Sequence, residues 1–169
     1  MSVSYRGATL TDAEVIDNIY RTGFCDTFAH LYRPEDLQTF LGSFTLERWR
    51  EELSDPSYSF RIAEGDGEAF GYIKIGPISL PVEPAVPALE LKQLYLLKEW
   101  HGRGAANGLM DWALAEAANR GARELYLSVY TENWRARRFY ERFGFVFHAP
   151  YVFMVGDHPD EDMIMRREL

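Results

Sequence analysis

Apolar positions recur along the chain with two periods, and the switches between them mark out the elements. A short alternating run at residues 3–8 reads as a strand. Ile16, Ile19, Gly23, Phe24, Thr27 and Leu31 then form a helical stripe to about residue 30, with Thr11 as its cap and Glu14 completing a capping box. Arg33-Pro34 interrupts it, residues 36–44 read as an irregular or short helical link, and residues 45–53 as a second helix. Residues 57–63 and 69–75 are strands around the turn Glu64-Gly65-Asp66-Gly67-Glu68. Pro77, Pro81, Pro84 and Pro87 make the next segment a surface loop. Residues 88–97 form a long apolar strand. A helix over 102–119 follows, with Leu109, Ala113, Leu114 and Ala117 inward, then a strand at 123–130 and a helix at 133–142 stopped by Gly144. Residues 145–149, 151–155 and 163–166 read as final strands, the last set off by a polar turn at 156–162.

The order β-α-α-β-β-β-α-β-α-β-β contains one strand–helix–strand crossover, over residues 88–130, and several hairpins. It predicts an α/β (mixed α+β) fold. Its centre is a mixed, mostly antiparallel sheet of about seven strands with helices on both faces. With 169 residues, one domain spanning 1–169 is expected.

Between the apolar strand and the helix that follows lies His101-Gly102-Arg103-Gly104-Ala105-Ala106-Asn107-Gly108. A helix start leaves backbone N–H groups without partners, glycine and alanine allow close approach, and the helix dipole favours anions. Arg103 adds a positive charge, so the segment suits a diphosphate. A P-loop is excluded because no Lys-Ser or Lys-Thr follows. A dinucleotide-binding turn would need glycine where Asn107 stands, although Glu132 could imitate its ribose-binding acid; a glycine-rich helix entry with no ligand is the third reading.

Two motifs in this order resemble the GNAT family of N-acetyltransferases. Gly104 and Ala106 match its [QR]-x-x-G-x-[GA] junction, with His101 where Gln or Arg is usual. Asn133-Trp134-Arg135-Ala136-Arg137-Arg138-Phe139-Tyr140, then Gly144-Phe145, is similar to its Asn-x-x-Ala-x-x-Phe-Tyr…Gly-Phe helix. The tail, Phe153-Met154-Val155-Gly156-Asp157 through Asp162-Met163-Ile164-Met165, and the opening helix with Phe24, Asp26, Thr27 and Phe28 look like the bacterial polyamine acetyltransferase subgroup, which acts on spermidine and spermine. The resemblance implies acetyl-CoA as co-substrate, held by Leu96, Leu97, His101, Gly102, Arg103, Gly104, Ala105, Ala106, Asn133 and Tyr140. It also implies direct transfer to a primary amine, with Tyr140 as acid near the coenzyme sulfur. A peptide lysine or protein N-terminus as acceptor, or a CoA-binding regulatory module without turnover, are the alternatives.

The chemistry bears on the remaining residues. An alkylamine with a pKa near that of Lys is neutral in about one molecule in 2,500 at pH 7, which calls for a base. Glu90, a carboxylate in the apolar run Ala88, Leu89, Leu91, Leu94, is the candidate, acting directly or through water; pairing with Lys92 or an edge-exposed position is its other reading. The resemblance implies that Asp26, Glu35, Asp36 and Glu83 sit in segments that wall the acceptor site, where their carboxylates could hold a cationic acceptor; solvated surface charges are their other reading. The net charge of −8 agrees with a cationic small-molecule substrate and disfavours nucleic acid. His148 and His158 lack any partner at metal-ligand spacing, so no metal is expected. A single cysteine, Cys25, and the absence of a leader pattern or long apolar run point to a cytoplasmic protein without a membrane span. A monomer or a homodimer fits equally.

Overall fold

The structure, a computed structural model, describes residues 2–169. Its strands are β1 (Val3–Gly7), β2 (Ser59–Gly65), β3 (Glu68–Gly76), β4 (Ala88–Leu96), β5 (Glu124–Tyr130), β6 (Val146–Val155) and β7 (His158–Glu168). The helices are α1 (Ala13–Phe28), α2 (Pro34–Gly42), α3 (Leu46–Ser54), α4 (Ala105–Asn119) and α5 (Trp134–Arg142). The strands form one seven-stranded sheet in the order β1-β2-β3-β4-β5-β7-β6. Among the described residues β4 and β5, joined by the crossover through α4, are the only neighbouring strands that pair in parallel; β5 and β6, joined through α5, also run the same way but with β7 between them.

Two cores sandwich the sheet. On one face, α4 lays Leu109, Met110, Ala113 and Ala117 on Phe70, Ile73 and Leu125, and α5 adds Tyr140. The alanines let the helix axis approach the strands closely. On the other face, Ile16, Ile19, Tyr20 and Phe24 of α1 and Trp49 of α3 cover Phe60, Ile62 and Tyr72. The proline loop is anchored as well: Leu80 is buried against Tyr126 and Ile164.

Four boundaries differ from the sequence reading. The segment after Arg33 is a true helix, because Pro34 occupies the first helical position, where its missing N–H is no loss. The cap of the first helical segment lies earlier: the Asp12 carboxylate accepts the Thr9 backbone N–H at 2.7 Å and is clamped by Arg6 through two 2.8 Å bonds. Residues 146–155 are one strand despite Pro150, since β6 is an edge strand with a register shift between Phe147 and Ala149. The polar stretch read as a turn is largely strand: β7 begins at His158, so Asp160 and Asp162 lie within the sheet.

The feature that positions the site is a split in the sheet. β4 and β5 pair only from Ala88↔Glu124 to Glu90↔Tyr126. Beyond that, β4 stays with β3 as far as Leu96, and β5 stays with β7 as far as Tyr130. The two strands diverge over six residues of β4, roughly 20 Å of chain.

Candidate active site

A cleft of about 1250 Å³ fills the split and passes through the sheet. His101, Gly104, Asn133 and Tyr140 line it on the α4–α5 side, and Phe28, Tyr32, Asp160 and Asp162 on the α1 side.

On the α4–α5 side, Gly102 and Gly104 have φ of +75° and +82°, a left-handed conformation that admits glycine readily. Gly104 caps α4, and a Cβ there would meet only the Asn107 side chain, at 3.9 Å. The amides opening α4 therefore face open space, as an anion cradle needs. Gly108 has another purpose: the Tyr5 ring fills the space where its Cβ would be, and the Tyr5 hydroxyl donates to the Ala105 carbonyl at 2.9 Å. Arg103 stacks on Trp100.

His101 binds back onto β4. Its Nε2 lies 2.9 Å from the Leu96 carbonyl and its Nδ1 accepts from Arg135 at 2.8 Å. Arginine can only donate, so Nε2 carries the proton. Burial, and then Arg135, hold the imidazole below its ordinary value, so it is neutral at pH 7. Leu97 N–H donates to Phe70 of β3 at 2.8 Å. By the alternation of an antiparallel pair, the Leu96 N–H points to the open edge. Of the two amides expected to meet the pantetheine arm, Leu96's is thus the available one.

Asn133 caps α5, its side-chain oxygen accepting from Ala136 at 3.3 Å. Two turns on, Tyr140 reaches the cleft. Burial raises its hydroxyl to about 12, which keeps it a proton donor throughout the physiological range.

The carboxylates are arranged differently from the sequence expectation. Glu90 is buried and engaged: it accepts from the Ser79 N–H at 2.8 Å, the Ser79 hydroxyl at 3.2 Å and Lys92 at 3.3 Å. Ser79 and Lys92 line the cleft, and Glu90 stands behind them. Asp36 ties the start of α2 to the β6–β7 turn, accepting from Asp157 N–H at 3.0 Å and Arg33 at 3.1 Å. Asp26, Glu35 and Glu83 are exposed, and with Asp36 they stand outside the lining. The carboxylates that do line the cleft are Glu52, paired with Lys74 at 2.7 Å, and Asp160 and Asp162 of β7. Residues i and i+2 of a strand share a face, so the pattern Asp160-Glu161-Asp162 would have revealed the pair had the segment been read as a strand.

The family model of the acetyltransferase (GNAT) family matches residues 21–145. The chain belongs to that family. GNAT membership makes it an acyltransferase, and acetyl-CoA is the donor of the family. A Mycobacterium bovis relative, named an uncharacterized N-acetyltransferase, is 34% identical over 161 residues, 95% of this chain and 99% of that protein. An aminoalkylphosphonate N-acetyltransferase from Salmonella typhimurium is 30% identical over 110 residues, 65% of this chain and 68% of its own length. The PaiA N-acetyltransferase from Thermoplasma acidophilum, solved in complex with coenzyme A, superposes over 100% of both chains with a TM-score of 0.82 at 23% identity, which shows the GNAT fold. No helix among the described residues is long and apolar enough to cross a membrane, and they contain no cluster of His, Cys, Asp and Glu able to hold a metal.

Proposed function

We propose that this GNAT protein transfers the acetyl group of acetyl-CoA directly to a primary amine, with polyamines such as spermidine and spermine the first acceptors to test. The observation that carries the reading is the cleft itself. It is one passage through the sheet, with an anion cradle and a phenol on one side and carboxylates on the other.

The amides of residues 102–106, with Arg103, fit the pyrophosphate of the coenzyme, and the Leu96 N–H and Asn133 fit its pantetheine arm. His101, locked between Leu96 and Arg135, orders the junction. Bound acetyl-CoA supplies a thioester whose carbonyl carbon is open to a neutral amine. Tyr140 then has one task, to give its proton to the departing sulfur, and its raised pKa leaves the hydroxyl always protonated for it. Glu90 fixes Ser79 and Lys92, and so the proline loop, at the cleft wall.

A covalent acyl-enzyme is disfavoured. Cys25 lies on α1 outside the cleft lining, and burial raises its thiol above its ordinary value, away from the reactive thiolate. The same reading makes residues 1–169 one catalytic domain working in the cytoplasm.

The test is thiol release from acetyl-CoA with a panel of spermidine, spermine, n-butylamine, an aminoalkylphosphonate and a peptide with a free N-terminus. Turnover with the polyamines above the other amines supports the full proposal. Turnover confined to the peptide or the phosphonate moves the acceptor class, and CoA binding without turnover on any amine overturns the catalytic reading.

A further inference from the structure

The α1 side of the cleft contains a buried charge without a counter-charge. Asp160 and Asp162 stand on one face of β7, two residues apart, and both are more than nine-tenths buried. Two carboxylates so placed repel each other, and burying them without compensation is costly. Asp160 is compensated: it accepts a hydrogen bond from the Tyr32 hydroxyl, and His158 Nε2 stands 3.4 Å from its other oxygen. Asp162 is not. Its Oδ1 is buried with no hydrogen-bond partner among the described residues. Burial and the charge of Asp160 push its carboxyl up to about 7.

The groups facing Asp162 are otherwise phenols. Tyr130 of β5 and Tyr151 of β6 are its cross-strand neighbours, and Tyr95 of β4 and Tyr32 are close enough to feel its charge. Tyr130 is turned to Glu132, at 2.9 Å, and its ring meets Phe28 edge-on. The surroundings are aromatic faces around one uncompensated carboxylate, in a passage whose far side carries Tyr140. A buried polar atom left unpaired in a native fold calls for an explanation, and the place of Asp162 in the cleft lining points to a ligand. Aromatic walls around an anionic floor select a cation.

Resting on the acetyltransferase reading, we propose that Asp162 is the docking point for the ammonium group of a primary alkylamine acceptor and the base that takes its proton. Asp160, held by Tyr32, acts as a positioning residue whose charge keeps Asp162 basic enough for the task. The balance is as follows. The ammonium gives one proton to Asp162. The freed nitrogen bonds to the acetyl carbonyl carbon, and the carbon–sulfur bond breaks. The second proton lost by nitrogen reaches the sulfur by way of Tyr140, so the products are the N-acetylamine, CoA thiol and a proton left on Asp162 for solvent.

The experiment measures kcat/KM for spermidine and n-butylamine from pH 5.5 to 9 in wild type, Asp162→Asn and Asp160→Asn, with CoA binding followed by calorimetry in each. Spermidine binding to CoA-loaded protein is titrated separately. Wild type should show a rise in kcat/KM centred near neutrality, and spermidine should bind more tightly at pH 8 than at pH 6. Asp162→Asn should lose at least a hundredfold in kcat/KM for both amines, lose the neutral limb and the pH dependence of spermidine binding, and keep its CoA affinity within twofold. Asp160→Asn should move the limb to lower pH with CoA binding unchanged. An Asp162→Asn protein within threefold of wild type, or one that keeps the neutral limb, overturns the proposal. A wild type that binds no CoA overturns the acetyltransferase reading itself, which is a distinguishable failure.

Discussion

Replacing Asp162 by Asn should stabilise the protein, and by an amount that depends on pH. In the folded chain the carboxyl is held near 7 by burial and by Asp160, against 3.8 for an ordinary Asp. Between those values the folded state binds more protons at this site than the unfolded state does, so stability falls as pH rises from about 4 to 7 and the loss is complete above 7. At 1.36 kcal/mol per pH unit the full loss is at most about 4 kcal/mol. Less than half of it has been lost by pH 5, so the advantage of Asp162→Asn should grow by about 3 kcal/mol between pH 5 and pH 8. For a chain of this size that is roughly 6–12 °C in melting temperature. Urea unfolding of both proteins at several pH values measures it, and groups that titrate alike in the two proteins cancel in the difference. Parallel stability profiles would refute the argument, because they would mean that Asp162 titrates as an exposed carboxyl does.

That residue also shows where the sequence was readable and where it was not. The apolar runs of β3 to β5 and the stripes of α1 and α4 are strong signals, because the strands lie in the middle of the sheet between two cores and each helix buries one face. The helix entry at Gly104 and the Asn133–Tyr140 spacing were legible as local motifs. The stretch from His158 to Asp162 misled because it is polar. Carboxylates in a strand are costly, so composition favours a turn, and only the fold reveals that β7 carries them into a cleft. The same logic applied to Glu90 in reverse. A charge in an apolar strand looked purposeful, and its partners Ser79 and Lys92, in a loop and two residues along, account for it structurally. Pro34 reads as a break in the sequence yet starts a helix, and Pro150 sits on an edge strand, the two places where a missing N–H does no harm.

Three further outcomes follow from the packing. Tyr140→Phe should lower turnover by about 10²-fold or more while leaving CoA affinity unchanged, read from steady-state rates and calorimetry; equal rates would remove the hydroxyl from the reaction. Gly108→Ala should destabilise by about 1–3 kcal/mol, measured by urea unfolding, because the added Cβ would lie 2.3 Å from the Tyr5 ring. Asp36→Ala should lower the melting temperature yet leave KM for the amine unchanged, since its bonds to Arg33 and Asp157 hold α2 to the β6–β7 turn; a raised KM would return it to the acceptor site.

The cradle at the head of α4 is tested most directly by titrating CoA into the wild-type protein and into Gly104→Val. A β-branched residue cannot hold a φ of +82° without strain, so the amides that open α4 must shift. Saturable binding at one site per chain in wild type, weakened at least tenfold in a variant that circular dichroism shows to be folded, is the predicted result. No heat with wild type, or equal affinity in the two proteins, would contradict it.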